Sequence, residues 1–160
     1  CIEVGNDKNQ HKEPLRFDHV FNSCGASEQE ELFELVQPGI LSCFDGQSCT
    51  VVAHGGPQSG KSYTLSGFFT HNQLHGIAPR ASQLIADVMQ AYPNLVTAIE
   101  SSFFEIQQDE AFDLVTPGYQ RVGLQELSSA PYCVPDGNLA THMCDGVAGC
   151  HRLLDTSFMG

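Results

Sequence analysis

The sequence predicts an α/β layered fold, and three observations carry that expectation. Residues 49–53 (CTVVA) form a short, continuously apolar and β-branched run, the pattern of a strand buried on both faces. A Gly-rich turn at 55–60 follows at once and leads into helix-forming residues. Elsewhere, stretches with apolar residues three and four apart alternate with stretches of strand-like composition, and strands alternating with helices build a layered domain.

The elements follow in order. Residues 1–14 are polar and hold two of the three lysines. Residues 15–21 (LRFDHVF) alternate apolar with polar, as a half-buried strand does. Ser27 and Glu30 have capping-box spacing, and Leu32, Phe33, Val36 and Ile40 recur behind them, so a helix is expected over 28–43, with distortion at Pro38. After the run at 49–53 and the Gly-rich turn, a short helix is expected at 61–65 and a polar loop at 66–76. Pro79 suits the first turn of a helix whose buried stripe is Leu84, Ile85, Val88 and Met89. Residues 95–106 read as one long strand, 113–115 and 119–122 as weaker strands, and Val147, Leu154 and Phe158 as the stripe of a last helix. The run at 49–53 and the strand at 95–106 are expected at the centre of one sheet, with the helices at 28–43 and after Lys61 packed on it.

Composition narrows the function. The 160 residues carry 7 Lys+Arg against 19 Asp+Glu, a formal net charge of -12. An apolar fraction of 41% rules out a disordered acidic tail. With no basic stripe to neutralise phosphates, nucleic acid is not an expected partner. No apolar stretch is long enough for membrane insertion. Seven cysteines, an odd number without CxxC spacing, read as reduced buried thiols of a cytoplasmic protein. The chain begins at Cys1 rather than Met and is expected to be a piece of a longer gene product.

Gly55-Gly56-Pro57-Gln58-Ser59-Gly60-Lys61-Ser62 fits GxxxxGK[ST] at every fixed position. The spacing suits phosphate capture, because backbone N–H groups of a tight loop and a helix start converge on β- and γ-phosphate oxygens. Lys61 would bring its ammonium to those oxygens, and Ser62 its hydroxyl to Mg²⁺. Lys61 is the only Lys or Arg between residues 17 and 79, a span with six carboxylates, and a lone cation in an acidic half fits a local anion. The plainer alternative is a Gly/Ser-rich surface turn that matches by chance. Asp87 and Asp155 end apolar runs as a Mg²⁺-holding Asp does, but both fall on expected helices, where Asp is ordinarily a solvated residue. No catalytic residue is identified in this stretch. His71 and His75 could ligate a metal, but no Cys or carboxylate stands at ligand spacing beside them, and the group His142, Cys144, Cys150 and His151 lacks zinc-finger spacing. Glu105, Asp109 and Asp113 are scattered by a strand-to-turn reading, and Phe103 and Phe104 read as core.

The residues around the phosphate loop resemble a kinesin motor domain. Phe17-Asp18-His19-Val20-Phe21 is similar to the family's FDxVF strand, and Gln29 with Leu32-Phe33 to its Q-x-x-hydrophobic-F helix. Gly46 and Thr50-Val51-Val52-Ala53-His54-Gly55 resemble GYNxTIFAYG, and Ser62-Tyr63-Thr64-Leu65-Ser66-Gly67 continues as KTYTMxG does. Gly76-Ile77-Ala78-Pro79-Arg80 corresponds to GIIPR, and Ser102-Phe103-Phe104-Glu105-Ile106 with Asp113-Leu114-Val115 to SYxEIYNExxxDLL. The matches run in family order from about residue 15 to 115 and continue more faintly to 160.

This resemblance implies a P-loop NTPase layered fold, a mixed central sheet flanked by helices, in an ATP-hydrolysing motor of the microtubule cytoskeleton. It implies ATP phosphates at residues 55–62, Mg²⁺ at Ser62 and Tyr63 near the adenine. Residues 1–160 would be a partial motor domain, the phosphate-loop half, with the first strand, both switches and the main microtubule-binding helices outside it. Tubulin would then be met through parts outside this stretch. The departures are His54 for Tyr, Gly56-Pro57-Gln58 for a Gln-Thr-Gly segment, and Gln107-Gln108 for Tyr-Asn. They leave open a second reading, a degenerate kinesin-like interaction module with weak or no nucleotide binding. A P-loop kinase would need an Arg-rich lid, and Arg80, Arg121 and Arg152 are widely spaced.

Overall fold

The computed structural model describes residues 2–6, 9–21, 27–68, 74–94, 99–115, 117–118, 120–126, 133–135 and 142–144. The chain divides into two compact units, Cys1–Ile77 and Ala78–Gly160. The described elements are helices and antiparallel sheets, an α/β composition.

The first unit opens with an antiparallel hairpin of β1 (Ile2–Asn6) and β2 (Asn9–Leu15). Polar composition does not prevent pairing, and these residues form strands where none was expected. The reverse holds just beyond them. Residues 16–21, expected as a strand, have no regular structure, and Phe17 and Val20 are exposed. Helix α1 (Ser27–Ser42) runs almost as the periodicity predicts and tightens into a 3₁₀ turn at Cys43–Asp45. Its inward stripe is Gln29, Leu32, Phe33, Val36 and Ile40, of which Gln29 and Ile40 are buried. Pro38 lies within α1, where its ring removes one backbone donor without ending the helix.

Residues 49–53 correct the sequence reading. They form no strand, and Val51 and Val52 are exposed, Val52 by 77%. A strand exists by pairing, and none of the described strands lies beside this run. After the loop comes α2 (Lys61–Leu65), the short helix expected there. Behind it the chain doubles back through a bridge between Gly67 and His75, where Phe68 N–H donates to Leu74 O at 2.9 Å and Gly76 N–H to Ser66 O at 3.0 Å. A Cβ at Gly67 would sit 2.0 Å from the Leu74 carbonyl oxygen, so only glycine allows this closure.

Helix α3 (Ile77–Ala91) starts at the end of the first unit and runs into the second. Pro79 lies in its first turn, as expected. Leu84, Ile85, Val88 and Met89 are half-buried around a fully buried Ala86. Of the expected long strand over 95–106, residues 95–98 lie outside the described residues, and 99–106 hold two short strands with different partners. β3 (Ile99–Ser101) pairs with β9 (His142–Cys144), while β4 (Phe104–Gln107) pairs with β5 (Glu110–Asp113). The β4–β5 hairpin turns on Gln108 and Asp109, both left-handed (φ 51° and 63°), the two-residue type I′ pattern that matches strand twist. β5 also pairs with β6 (Arg121–Val122), and the inward face of this sheet holds Ala111, Asp113 and Val122. Asp113 is buried, and its Oδ1 accepts the Val115 N–H at 2.8 Å, closing the strand in an Asx turn. β7 (Leu124–Glu126) and β8 (Cys133–Pro135) form a further hairpin. The last helix expected around 147–158 lies outside the described residues.

The described residues thus hold four separate antiparallel sheets of two or three strands, and no single sheet among them unites 49–53 with 95–106. Phe104 was expected in the core but is exposed, as is Ile106 beside it. Cys43 and Cys49, expected as buried thiols, are free and exposed. No helix among the described residues is long and apolar enough to cross a membrane. With Phe17, Val52, Phe68 and Ile106 each more than half exposed, the 160 residues expressed alone are expected to self-associate. Size-exclusion chromatography with light scattering checks this, and a monomeric mass with a sharp thermal transition contradicts it.

Candidate functional site

Of the nine residues predicted for the site, Gln58, Ser59, Gly60, Lys61, Ser62 and Tyr63 line one cavity of about 290 Å³. That lies at the lower end of the range common for ligand pockets, about 300–1,000 Å³. Gly55, Gly56 and Pro57 build the loop behind it.

The loop is a turn followed by a helix start. Ser59 N–H donates to Gly56 O at 3.3 Å and closes the four residues 56–59. Pro57 occupies the second position of that turn and Gln58 the third, with Gln58 at φ 58°. Proline there followed by a left-handed residue is the type II pattern, whose third position favours glycine. Pro57, which lacks an N–H to offer a ligand, therefore suits the turn through its fixed φ. Gln58 holds a left-handed backbone that disfavours an L side chain by roughly 1–2 kcal/mol. Gly60 then caps α2 at φ 89°, and its carbonyl accepts the first helical bond from Thr64 N–H at 2.8 Å.

Lys61 ties the loop together. Its Nζ donates to Gly55 O at 2.9 Å and to Gly56 O at 2.7 Å. An ammonium carries three donors, so one remains for an incoming oxygen. The first-turn N–H groups of α2 have no intrahelical acceptor and add further donors at the same place. Ser62 is exposed on the cavity lining, where a hard oxygen donor suits a Mg²⁺ ligand. The Tyr63 ring packs at a 56° tilt against Phe68, with centroids 5.6 Å apart.

One contact was missed in the sequence. Gln29 Nε2 donates to the Tyr63 carbonyl at 2.7 Å and joins α1 to α2. The motif comparison marked Gln29 without giving it a role, and the only local signal was a polar residue on the apolar stripe of α1.

Other candidates separate. Asp87 is exposed and accepts from Gln83 Nε2 at 2.8 Å, the solvated helical role expected of it. Asp155 and His71 lie outside the described residues. Among the described residues no group of three or more His, Cys, Asp and Glu is placed to hold a metal ion. Glu105, Asp109 and Asp113 fall on a strand, a turn and the next strand, and form no common face.

A family model described as the kinesin motor domain matches residues 2–157, reaching further towards the N-terminus than the motifs did. The human chromosome-associated kinesin KIF4B is 34% identical over 125 residues, 75% of this chain and 10% of that protein. The rice kinesin-like protein KIN-4A is 33% identical over 130 residues, covering 79% and 13%. The protein claret segregational of Drosophila melanogaster is 35% identical over 102 residues, covering 62% and 14%. The chain therefore spans about a tenth of the length of the curated relatives it matches.

Gln58→Gly relieves the left-handed side chain and is expected to stabilise the fold by up to about 1 kcal/mol, part of the gain being offset by glycine's greater freedom in the unfolded chain. Thermal unfolding of wild type and variant measures the difference.

Proposed function

The chain belongs to the kinesin motor-domain family, and from that premise we propose that it is the ATP-binding part of a microtubule motor. In the full-length protein this part would serve the coupling of ATP hydrolysis to movement along microtubules. The observation that carries the reading is the Lys61 ammonium, bonded to the Gly55 and Gly56 carbonyls with a donor to spare beside the cavity at 58–63.

Each residue then has a task. The ammonium of Lys61 holds the loop closed and meets a β- or γ-phosphate oxygen with its remaining donor. Backbone N–H groups at the start of α2 receive further oxygens, as suits an anion at a helix start. The Ser62 hydroxyl is a ligand for Mg²⁺, which in such sites neutralises charge on the phosphates. Tyr63 borders the phosphate groove, and the adenine would lie on its side. The layered P-loop NTPase arrangement, a mixed central sheet flanked by helices, is likewise proposed from the family, as is the chain's being the phosphate-loop half of a motor domain. So are the cytoplasmic, microtubule-associated location and contact with tubulin through parts outside this stretch. Groups that activate water for hydrolysis would also come from outside it.

A second reading has its own support. Pro57 offers no N–H to the cradle, and Gln58 holds a conformation suited to glycine. Both fit a kinesin-like module kept for interaction, with weak or no nucleotide binding.

Titration of a fluorescent ATP analogue against the full-length protein separates these readings. Lys61→Ala is expected to weaken binding by roughly 1.5–3 kcal/mol, the scale of a lost charged hydrogen bond. Ser62→Ala should also weaken it, with a penalty that shrinks when Mg²⁺ is left out. Wild-type affinity in Lys61→Ala rules out the phosphate role. No binding by wild type, with binding restored by Thr at 57 and Gly at 58, establishes the interaction module.

A further inference from the structure

The Tyr63 carbonyl sits where a helix runs out of partners. In a longer helix it would accept from the N–H of residue 67. Here the Gly67 N–H turns back to Ser62 O at 3.1 Å, an oxygen that already takes the Ser66 N–H at 2.8 Å. The donor that reaches Tyr63 O instead is Gln29 Nε2, thirty-four residues earlier on α1. Gln29 is only 2% exposed, and its other amide atom, Oε1, is buried with no hydrogen-bond partner.

An amide half-satisfied in a buried place is poorly chosen for packing alone. An apolar side chain of the same length would fill the space without stranding an oxygen. What the amide adds is one N–H aimed at one carbonyl of the helix that bears Lys61 and Ser62. We propose that Gln29 is a positioning residue for nucleotide binding. By gripping Tyr63 O it sets the axis of α2, and thereby where the Lys61 ammonium and the Ser62 hydroxyl stand against the phosphates. This rests on the phosphate-site reading above.

The test uses the full-length protein with a fluorescent ATP analogue and Mg²⁺. Gln29→Met keeps the length of the side chain and removes the amide. It is expected to weaken binding five- to tenfold, with the thermal midpoint little changed, because the stranded Gln29 oxygen is gone while the Tyr63 carbonyl loses its donor. Gln29→Glu supplies the readout that a packing role does not move. Its ionised carboxylate faces a carbonyl and has no proton to donate, so binding at pH 8 should fall below that of Gln29→Met. Burial raises the pKa of such a carboxyl. At pH 6 its protonated form donates to Tyr63 O and should recover affinity relative to wild type at the same pH. Wild-type affinity in Gln29→Met, or no recovery of Gln29→Glu at low pH, overturns the positioning role when Lys61→Ala weakens binding in the same assay. If Lys61→Ala also binds as wild type does, the phosphate-site reading fails first and the role of Gln29 falls with it.

Discussion

Helix α2 spans five residues, little more than one turn, and a helix that short has no stability of its own in water. It must be held from outside at both ends, and the surrounding structure follows from that requirement. At its start, Gly60 takes a left-handed φ so that its carbonyl can accept the first helical bond, and Lys61 reaches back to two loop carbonyls. At its end, Gln29 meets the carbonyl that the helix cannot satisfy. Beyond that, the Gly67–His75 bridge returns the chain and prevents the helix from running on. Lys61 and Ser62 thus stand on a scaffold of hydrogen bonds, in a helix none of whose residues is fully buried.

The loop in front of α2 shows a different balance. Pro57 favours the second position of the turn at 56–59, while Gln58 disfavours the third. One substitution rigidifies and the next strains, so the turn keeps its shape while losing a donor and gaining an exposed side chain at the lip of the cavity. A motor that cycles between nucleotide states and a module that merely keeps the family's shape would value those changes differently. The loop is where the two readings of this protein diverge.

Local signals were legible in the sequence, and distant ones were not. Helices α1 and α2 lie within a residue of the expected spans, and α3 carries Pro79 in its first turn as expected, because helical bonds are made within the segment itself. The turn at 55–60 and the helix start behind it were legible for the same reason, being set by eight consecutive residues. Strands depend on what lies beside them, and there the reading failed. A β-branched run at 49–53 has no paired neighbour among the described residues, whereas polar residues at 2–15 found one another. The break between β3 and β4 falls at Ser102-Phe103, with neither glycine nor proline, so it left no mark in composition. Gln29 was hidden for a related reason, since its partner is a backbone carbonyl that no side-chain pattern reports.

The unpaired run at 49–53 has a consequence for the order in which the protein takes shape. α1 and the β4–β5 hairpin need only contacts close in sequence and can form on the microsecond scale. The β-branched run has no such local partner and pairs with none of the described strands. Val51 and Val52 are left exposed, the kind of surface on which another chain can pair. Each newly made copy therefore meets its neighbours with this segment uncovered, and the yield of folded protein becomes a matter of concentration and timing.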